Sequence, residues 1–115
     1  HPYILKCNDE LAGFVLYRFN EENMNEIAEF FVLKKYRKIG AGTFMANKMF
    51  GLYKGRWEVR TLLKNERAQK FWRNTIKNFT NNNFEERYIR DNSRLAFYFE
   101  SQNYRTDKVL KNINL

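Results

Sequence analysis

The sequence predicts a mixed α/β (α+β) domain, with a central, mostly antiparallel sheet flanked by helices. Three observations predict it. Short apolar, β-branched and aromatic runs come in pairs split by polar turn signals near both ends of the chain. Two longer segments between them repeat their apolar residues at helical spacing. A nearly continuous apolar strand also runs straight into a basic, glycine-containing loop that opens the first helix. The predicted order is β-β-β-α-β-α-β-β.

Residues 3–7 are a short apolar run, and Asn8-Asp9-Glu10 is a turn signal. Leu11 to Phe19 completes a predicted hairpin. After a polar turn at 21–25, Ile27 to Leu33 is read as a strand buried on both faces. Residues 34–42 are read as a loop. Ala41, Phe44, Met45, Lys48, Met49 and Leu52 then trace one helical stripe, with Lys48 expected to snorkel. Trp57 to Leu63 alternates and reads as a strand. Asn65 is a predicted N-cap. Behind it, Ala68, Phe71, Trp72, Ile76 and Phe79 form an apolar stripe, and Arg67, Lys70, Arg73 and Lys77 a basic one. Residues 85–90 and 94–100 read as a second hairpin. One domain over 1–100 and a polar tail over 101–115 are expected.

The composition narrows the function. The chain has 115 residues, 43% hydrophobic and 17% aromatic, enough for one core and too apolar for intrinsic disorder. It contains no apolar run of the roughly 18 residues that a membrane helix needs, so no membrane partner is expected. Cys7 and His1 are its only cysteine and histidine, which excludes an internal disulfide, a zinc finger, a histidine-based triad and a multi-histidine metal site. Cys7 reads as a half-buried strand residue. The lack of disulfides suits a reducing, cytoplasmic setting. The chain opens on His-Pro rather than Met, which suggests a shortened or processed protein. A net charge of +8 suggests an anionic partner: nucleic acid, a polyphosphate cofactor or an acidic surface.

The loop Lys34-Lys35-Tyr36-Arg37-Lys38-Ile39-Gly40-Ala41-Gly42 has the chemistry of a phosphate site. The first turn of a helix leaves backbone N–H groups without internal partners, and the helix dipole adds positive potential there. Gly40 and Gly42 let an anion approach the main chain closely. The loop lacks the Gly-Lys-Ser/Thr ending of nucleoside-triphosphate loops and the third glycine of the dinucleotide fingerprint. A solvated basic turn is the plain alternative.

Arg37-Lys38-Ile39-Gly40-Ala41-Gly42 resembles the Arg/Gln-x-x-Gly-x-Gly/Ala signature of the GCN5-related N-acetyltransferase (GNAT) superfamily. Asn65-Glu66-Arg67-Ala68-Gln69-Lys70-Phe71-Trp72 is similar to the family's Asn-x-x-Ala-x-x-Phe-Tyr block, at a fitting distance. The resemblance covers about residues 1–100. It implies an acyl-CoA N-acyltransferase fold with splayed central strands, lacking the family's N-terminal strand and helices. It implies acetyl-CoA as cofactor, its pyrophosphate on the amides of Lys38, Ile39, Gly40, Ala41, Gly42 and Thr43. Phe31, Val32 and Leu33 would pair with the pantetheine arm. Asn65, Ala68 and Trp72 would line the far side, and Arg37, Lys38, Arg67 or Lys70 would meet the ribose phosphate.

The implied reaction is direct attack of an amine on the thioester, with a carboxylate taking the proton. Glu26 and Glu29 are the candidate bases, and alternation along the strand places only one of them toward the cleft. Trp72 stands where many members have a proton-donating Tyr; Tyr36, Tyr88, Tyr98 or water are substitutes that the motif does not choose between. The acceptor is open: a small molecule, a protein amine or an aminoacyl-tRNA. The missing edge strand invites a homodimer. The rival readings are a basic nucleic-acid-binding module without catalysis and a catalytically incomplete acyl-CoA-binding fragment.

Overall fold

The computed structural model describes residues 1–102. The expected tail beyond Gln102 lies outside the described residues. The elements are β1 (Pro2–Cys7), β2 (Glu10–Phe19), β3 (Asn25–Val32), α1 (Lys34–Arg37), α2 (Ala41–Leu52), β4 (Gly55–Leu62), α3 (Glu66–Thr80), β5 (Glu85–Ile89) and β6 (Arg94–Ser101). The six strands form one sheet in the order β1-β2-β3-β4-β6-β5. Every neighbouring pair is antiparallel except β3 and β4, which run parallel. No helix of the described residues is long and apolar enough to cross a membrane.

Asparagine makes the turns. Asn8, Asn23, Asn81, Asn82 and Asn92 all adopt positive φ, beside Asp9, Arg90 and Asp91. Asn tolerates that region because its short polar side chain bonds locally. The Asn20 side chain does such work, accepting from the N–H groups of Glu22 and Met24, both at 3.0 Å. As expected, Asn65 caps α3 by accepting from the Ala68 N–H at 3.0 Å.

Helices α2 and α3 lie on one face of the sheet, and the core is the layer between. Phe50 of α2 is its centre. It is fully buried and meets Trp57 and Phe99 of the sheet at ring distances of 4.9 and 4.8 Å. It also meets Phe79 and Trp72 of α3 at 5.2 and 6.3 Å.

Two expectations change. The buried stripe of α2 is Ala41, Gly42, Met45, Ala46, Met49 and Phe50, while Phe44, Lys48 and Leu52 face out. The helix is rotated because small Gly42 and Ala46 let it sit close to its neighbours and Phe50 fills the space beyond them. Strand β3 is not buried on both faces: Phe31 is 42% exposed and Glu29 is exposed, because among the described residues no helix covers the second face. We call that second face the open face.

Replacing Phe50 by Ala should cost about 3–5 kcal/mol. Urea denaturation of the purified variant checks this, and a loss under about 1 kcal/mol would mean that the core relaxes around the site.

Candidate active site

The site begins with a defect in the sheet. Strands β3 and β4 pair at only Asn25↔Trp57 and Glu26↔Glu58, although both strands continue for several residues beyond. Asn25 holds the closed end. Its Nδ2 donates to the carbonyls of Lys54 and Arg56 at 3.1 and 3.0 Å, and its Oδ1 accepts from the Tyr17 hydroxyl. Past this clamp the strands part. An aromatic group stands at the opening: Phe30 of β3 meets Trp72 at 4.7 Å and Phe71 at 5.6 Å, both on α3.

The parting leaves main-chain groups without strand partners. The Leu33 N–H donates to the Ala12 carbonyl at 2.7 Å, so the peptide groups of Leu33 and Phe31 face β2. Those of Phe30 and Val32 therefore face the gap. The Val32 carbonyl accepts from Arg37 Nε at 2.8 Å, which places that guanidinium at the gap's edge.

A cavity of about 590 Å³ opens here, lined by Phe30, Phe31, Val32, Arg37, Gly42, Asn65, Arg67, Ala68, Phe71 and Trp72. Eight of these ten were candidates from the sequence; Phe30 and Phe71 were not, and both carry the helical or strand periodicity of ordinary core residues. Gly40 caps α2 in the left-handed region, at φ 84° and ψ 13°. The first helical bond of α2 runs from the Phe44 N–H to the Gly40 carbonyl at 3.0 Å. The N–H groups of Ala41, Gly42 and Thr43 thus lack helical acceptors, and the first turn contains no acidic residue. A Cβ on Gly42 would stand 3.1 Å from the Phe71 ring, so any larger residue here would push the ring back by a few tenths of an ångström.

Other candidates stand elsewhere. Residues 34–37 form a helical turn rather than a loop, and the Ile39 N–H is taken up by the Tyr36 carbonyl at 3.4 Å. Lys38 and Ile39 are exposed and do not line the cavity. Lys70 is exposed and also off the cavity. Leu33 is tied to β2 by the bond already described.

The carboxylates hold the main correction. In the β2–β3 ladder Leu16 pairs with Glu29 and Tyr17 with Ile27, so Ala28 is an extra, unpaired residue of β3. Such a bulge shifts the alternation by one. Directly opposed residues share a face. Arg18 and Leu16, two apart on β2, therefore place Glu26 and Glu29 on the same face, the open one, against the expectation of opposite faces. They differ in burial instead. Glu26 is 4% exposed and bonded to Arg18 Nε at 2.9 Å, whereas Glu29 is exposed.

A third carboxylate, Glu58, was missed. It is 3% exposed and sits directly across from Glu26 at the last paired position before the strands part. Glu58 is well supplied with donors: Arg60 through Nε at 3.1 Å and Nη2 at 2.9 Å, Tyr98 hydroxyl at 2.7 Å and Asn20 Nδ2 at 3.3 Å. The ladders align Arg18, Glu26, Glu58, Tyr98 and Glu85 in one row across five strands. Burial, with the Glu58 bond second, pushes the Tyr98 phenol up to about 12. Among the described residues no cluster of three metal-ligating side chains occurs.

This geometry can be set beside known proteins. The sequence pattern of the Acetyltransferase (GNAT) family matches residues 1–75. The chain belongs to the GNAT acetyltransferase family. Solved GNAT structures share its fold. A GNAT-family acetyltransferase from Bacillus cereus ATCC 10987 superposes with a TM-score of 0.69 at 20% identity, covering 89% of this chain and 71% of that one. The ribosomal-protein-S18-alanine N-acetyltransferase from Escherichia coli gives 0.65 at 11% identity, covering 90% and 70%. A protein from Bacillus anthracis str. Ames, described as a candidate streptothricin acetyltransferase and solved with acetyl coenzyme A, gives 0.63 at 21% identity, covering 88% and 62%. This GNAT chain thus spans roughly two thirds of these relatives' length. No match is found among curated proteins.

Asn25→Ala should destabilise this GNAT chain by roughly 1–3 kcal/mol, since it strands two carbonyls and a buried hydroxyl at the closed end. Thermal unfolding measures it; a neutral effect would show that the clamp is not needed to hold β3 against β4.

Proposed function

We propose that the chain is an acetyl-CoA-dependent N-acetyltransferase, with the acceptor amine entering from the open face and Glu26 taking its proton. The observation that supports this most is the parted β3–β4 pair, with a cavity on one side and two buried carboxylates at its apex, in a member of the GNAT family. The cavity fits the cofactor in size and chemistry. Its volume lies in the range of ligand sites, and unpaired main-chain donors and guanidinium groups meet there.

When bound, acetyl-CoA supplies a thioester carbonyl open to attack by an amine. The amides of Ala41, Gly42 and Thr43 hold its diphosphate at the α2 N-terminus. Arg37, already fixed on Val32, and Arg67 add positive charge. The main-chain groups of Phe30 and Val32 that face the gap pair with the amides of the pantetheine arm. Phe71 and Trp72 exclude water along its length.

Proton handling follows from acceptor capacity. The Glu58 oxygens are engaged by Arg60, Tyr98 and Asn20, whereas Glu26 is bonded to Arg18 alone. Glu26 therefore keeps free lone pairs at the apex. Glu58, its neighbour across the pair, positions Arg60 and Tyr98. Glu29 is exposed and lies beyond the apex, so this reading gives the role to Glu26 rather than to Glu29. Trp72 carries no acid, and the Tyr98 hydroxyl donates to Glu58 and stands off the cavity, so in this reading the thiolate's proton comes from solvent.

Two experiments test this reading. Glu26→Gln should lower kcat by about 100-fold or more, the loss expected for a general base, and Glu29→Gln should leave it unchanged. Full activity in Glu26→Gln contradicts the assignment. Separately, Gly40→Glu should abolish acetyl-CoA binding in calorimetry, while Gly40→Ala, with the same backbone strain and no charge, keeps it. Binding by the folded Gly40→Glu protein would remove the phosphate site.

A further inference from the structure

The whole net charge of +8 sits on two segments. Residues 34–38 and 64–77 carry nine Lys and Arg residues against Glu66 alone, and the remainder of the chain is balanced. Of these cations only Arg37 and Arg67 line the cavity. A second group points elsewhere. Arg73 of α3 pairs with both oxygens of Glu86 on β5, at 2.7 and 2.9 Å, and this fixes which flank of α3 lies against β5. Lys70 and Lys77 stand three residues before and four after Arg73, hence on the same flank. Both are exposed, and among the described residues neither makes an ion pair.

Strand β5 adds an aromatic ring. Tyr88 follows Glu86 by two residues and so shares its face. It is 64% exposed and stands two residues along β5 from Glu86, the partner of Arg73. Arg90, exposed in the turn that follows, extends the positive border. Lys70 and Lys77 stand roughly 10 Å apart along the helix, a span that a few phosphates of one strand bridge.

We infer that this α3–β5 flank binds a single-stranded nucleic acid, with Lys70 and Lys77 on its phosphates and Tyr88 stacked against a base. Cations beside an exposed ring are the combination that unpaired strands use, because backbone charge and free base faces are then met together. A duplex keeps its bases stacked and leaves Tyr88 nothing to cover. An acidic peptide would use the lysines and leave the ring idle. The inference is independent of the acyl-transfer reading, since Tyr88 and Lys77 are away from the cavity.

The test is fluorescence anisotropy of the full chain with a labelled single-stranded RNA, the DNA strand of the same sequence and the corresponding RNA duplex, over a range of salt. Both single strands should bind alike, because phosphates and base faces are common to them, and more tightly than the duplex. The affinity should fall with salt. Tyr88→Ala should weaken single-strand binding about tenfold, with Tyr88→Phe retaining it. Lys77→Ala should weaken binding and flatten the salt dependence by about one unit of slope. Acetyl-CoA binding by Tyr88→Ala and Lys77→Ala should match the parent, which also reports that they fold. Equal affinity for duplex, no effect of Tyr88→Ala, or failure of the DNA strand to bind would each overturn the inference.

Discussion

The structure depends on a pair of parallel strands that join at two positions and then separate. Asn25 binds them at the closed end through two β4-side carbonyls and Tyr17. The ring cluster of Phe30, Phe71 and Trp72 occupies the open end. Buried peptide groups without partners are costly, so a sheet opened in its centre is stable only where water or a ligand replaces the lost ladder. The parting therefore explains at once why a cavity exists, why its edge is polar and why the α2 N-terminus and Arg37 converge there.

The same parting organises the open face. At the last paired position two carboxylates stand side by side with almost no exposure, an arrangement that repulsion and desolvation disfavour. Arg18 offsets one, and Arg60, Tyr98 and Asn20 offset the other. The row from Arg18 to Glu85 places these compensating groups by strand register alone. The two carboxylates differ in engagement: Glu26 is bonded to Arg18 alone, and Glu58 to Arg60, Tyr98 and Asn20, the difference on which the proposed division of roles rests.

Much of this was legible in the sequence. Alternation and helical spacing placed all the strands and the two long helices, and Asn65 marked a real cap. The two motif blocks and the strand before the first of them supplied eight of the ten cavity residues as candidates. Three features were not legible, each for a physical reason. The Ala28 bulge has no composition signal, because an extra residue is visible only against a partner strand; without it the facing of Glu26 and Glu29 comes out wrong. The rotation of α2 depends on close approach at Gly42 and Ala46, which a stripe of large residues hides. Glu58 reads as one charged residue in an alternating strand, and its role rests on a register that links five strands.

The central claim is that the β3 edge beyond Glu26 is unpaired in the free protein and becomes paired by the cofactor. Amide hydrogen exchange at Phe30 and Val32, followed by NMR with and without acetyl-CoA, tests this directly. The account predicts fast exchange at both amides in the free chain, against slow exchange at Leu33, and protection of Phe30 and Val32 once acetyl-CoA is added. Protection of both amides in the free protein, or no change on saturation with acetyl-CoA, would contradict it.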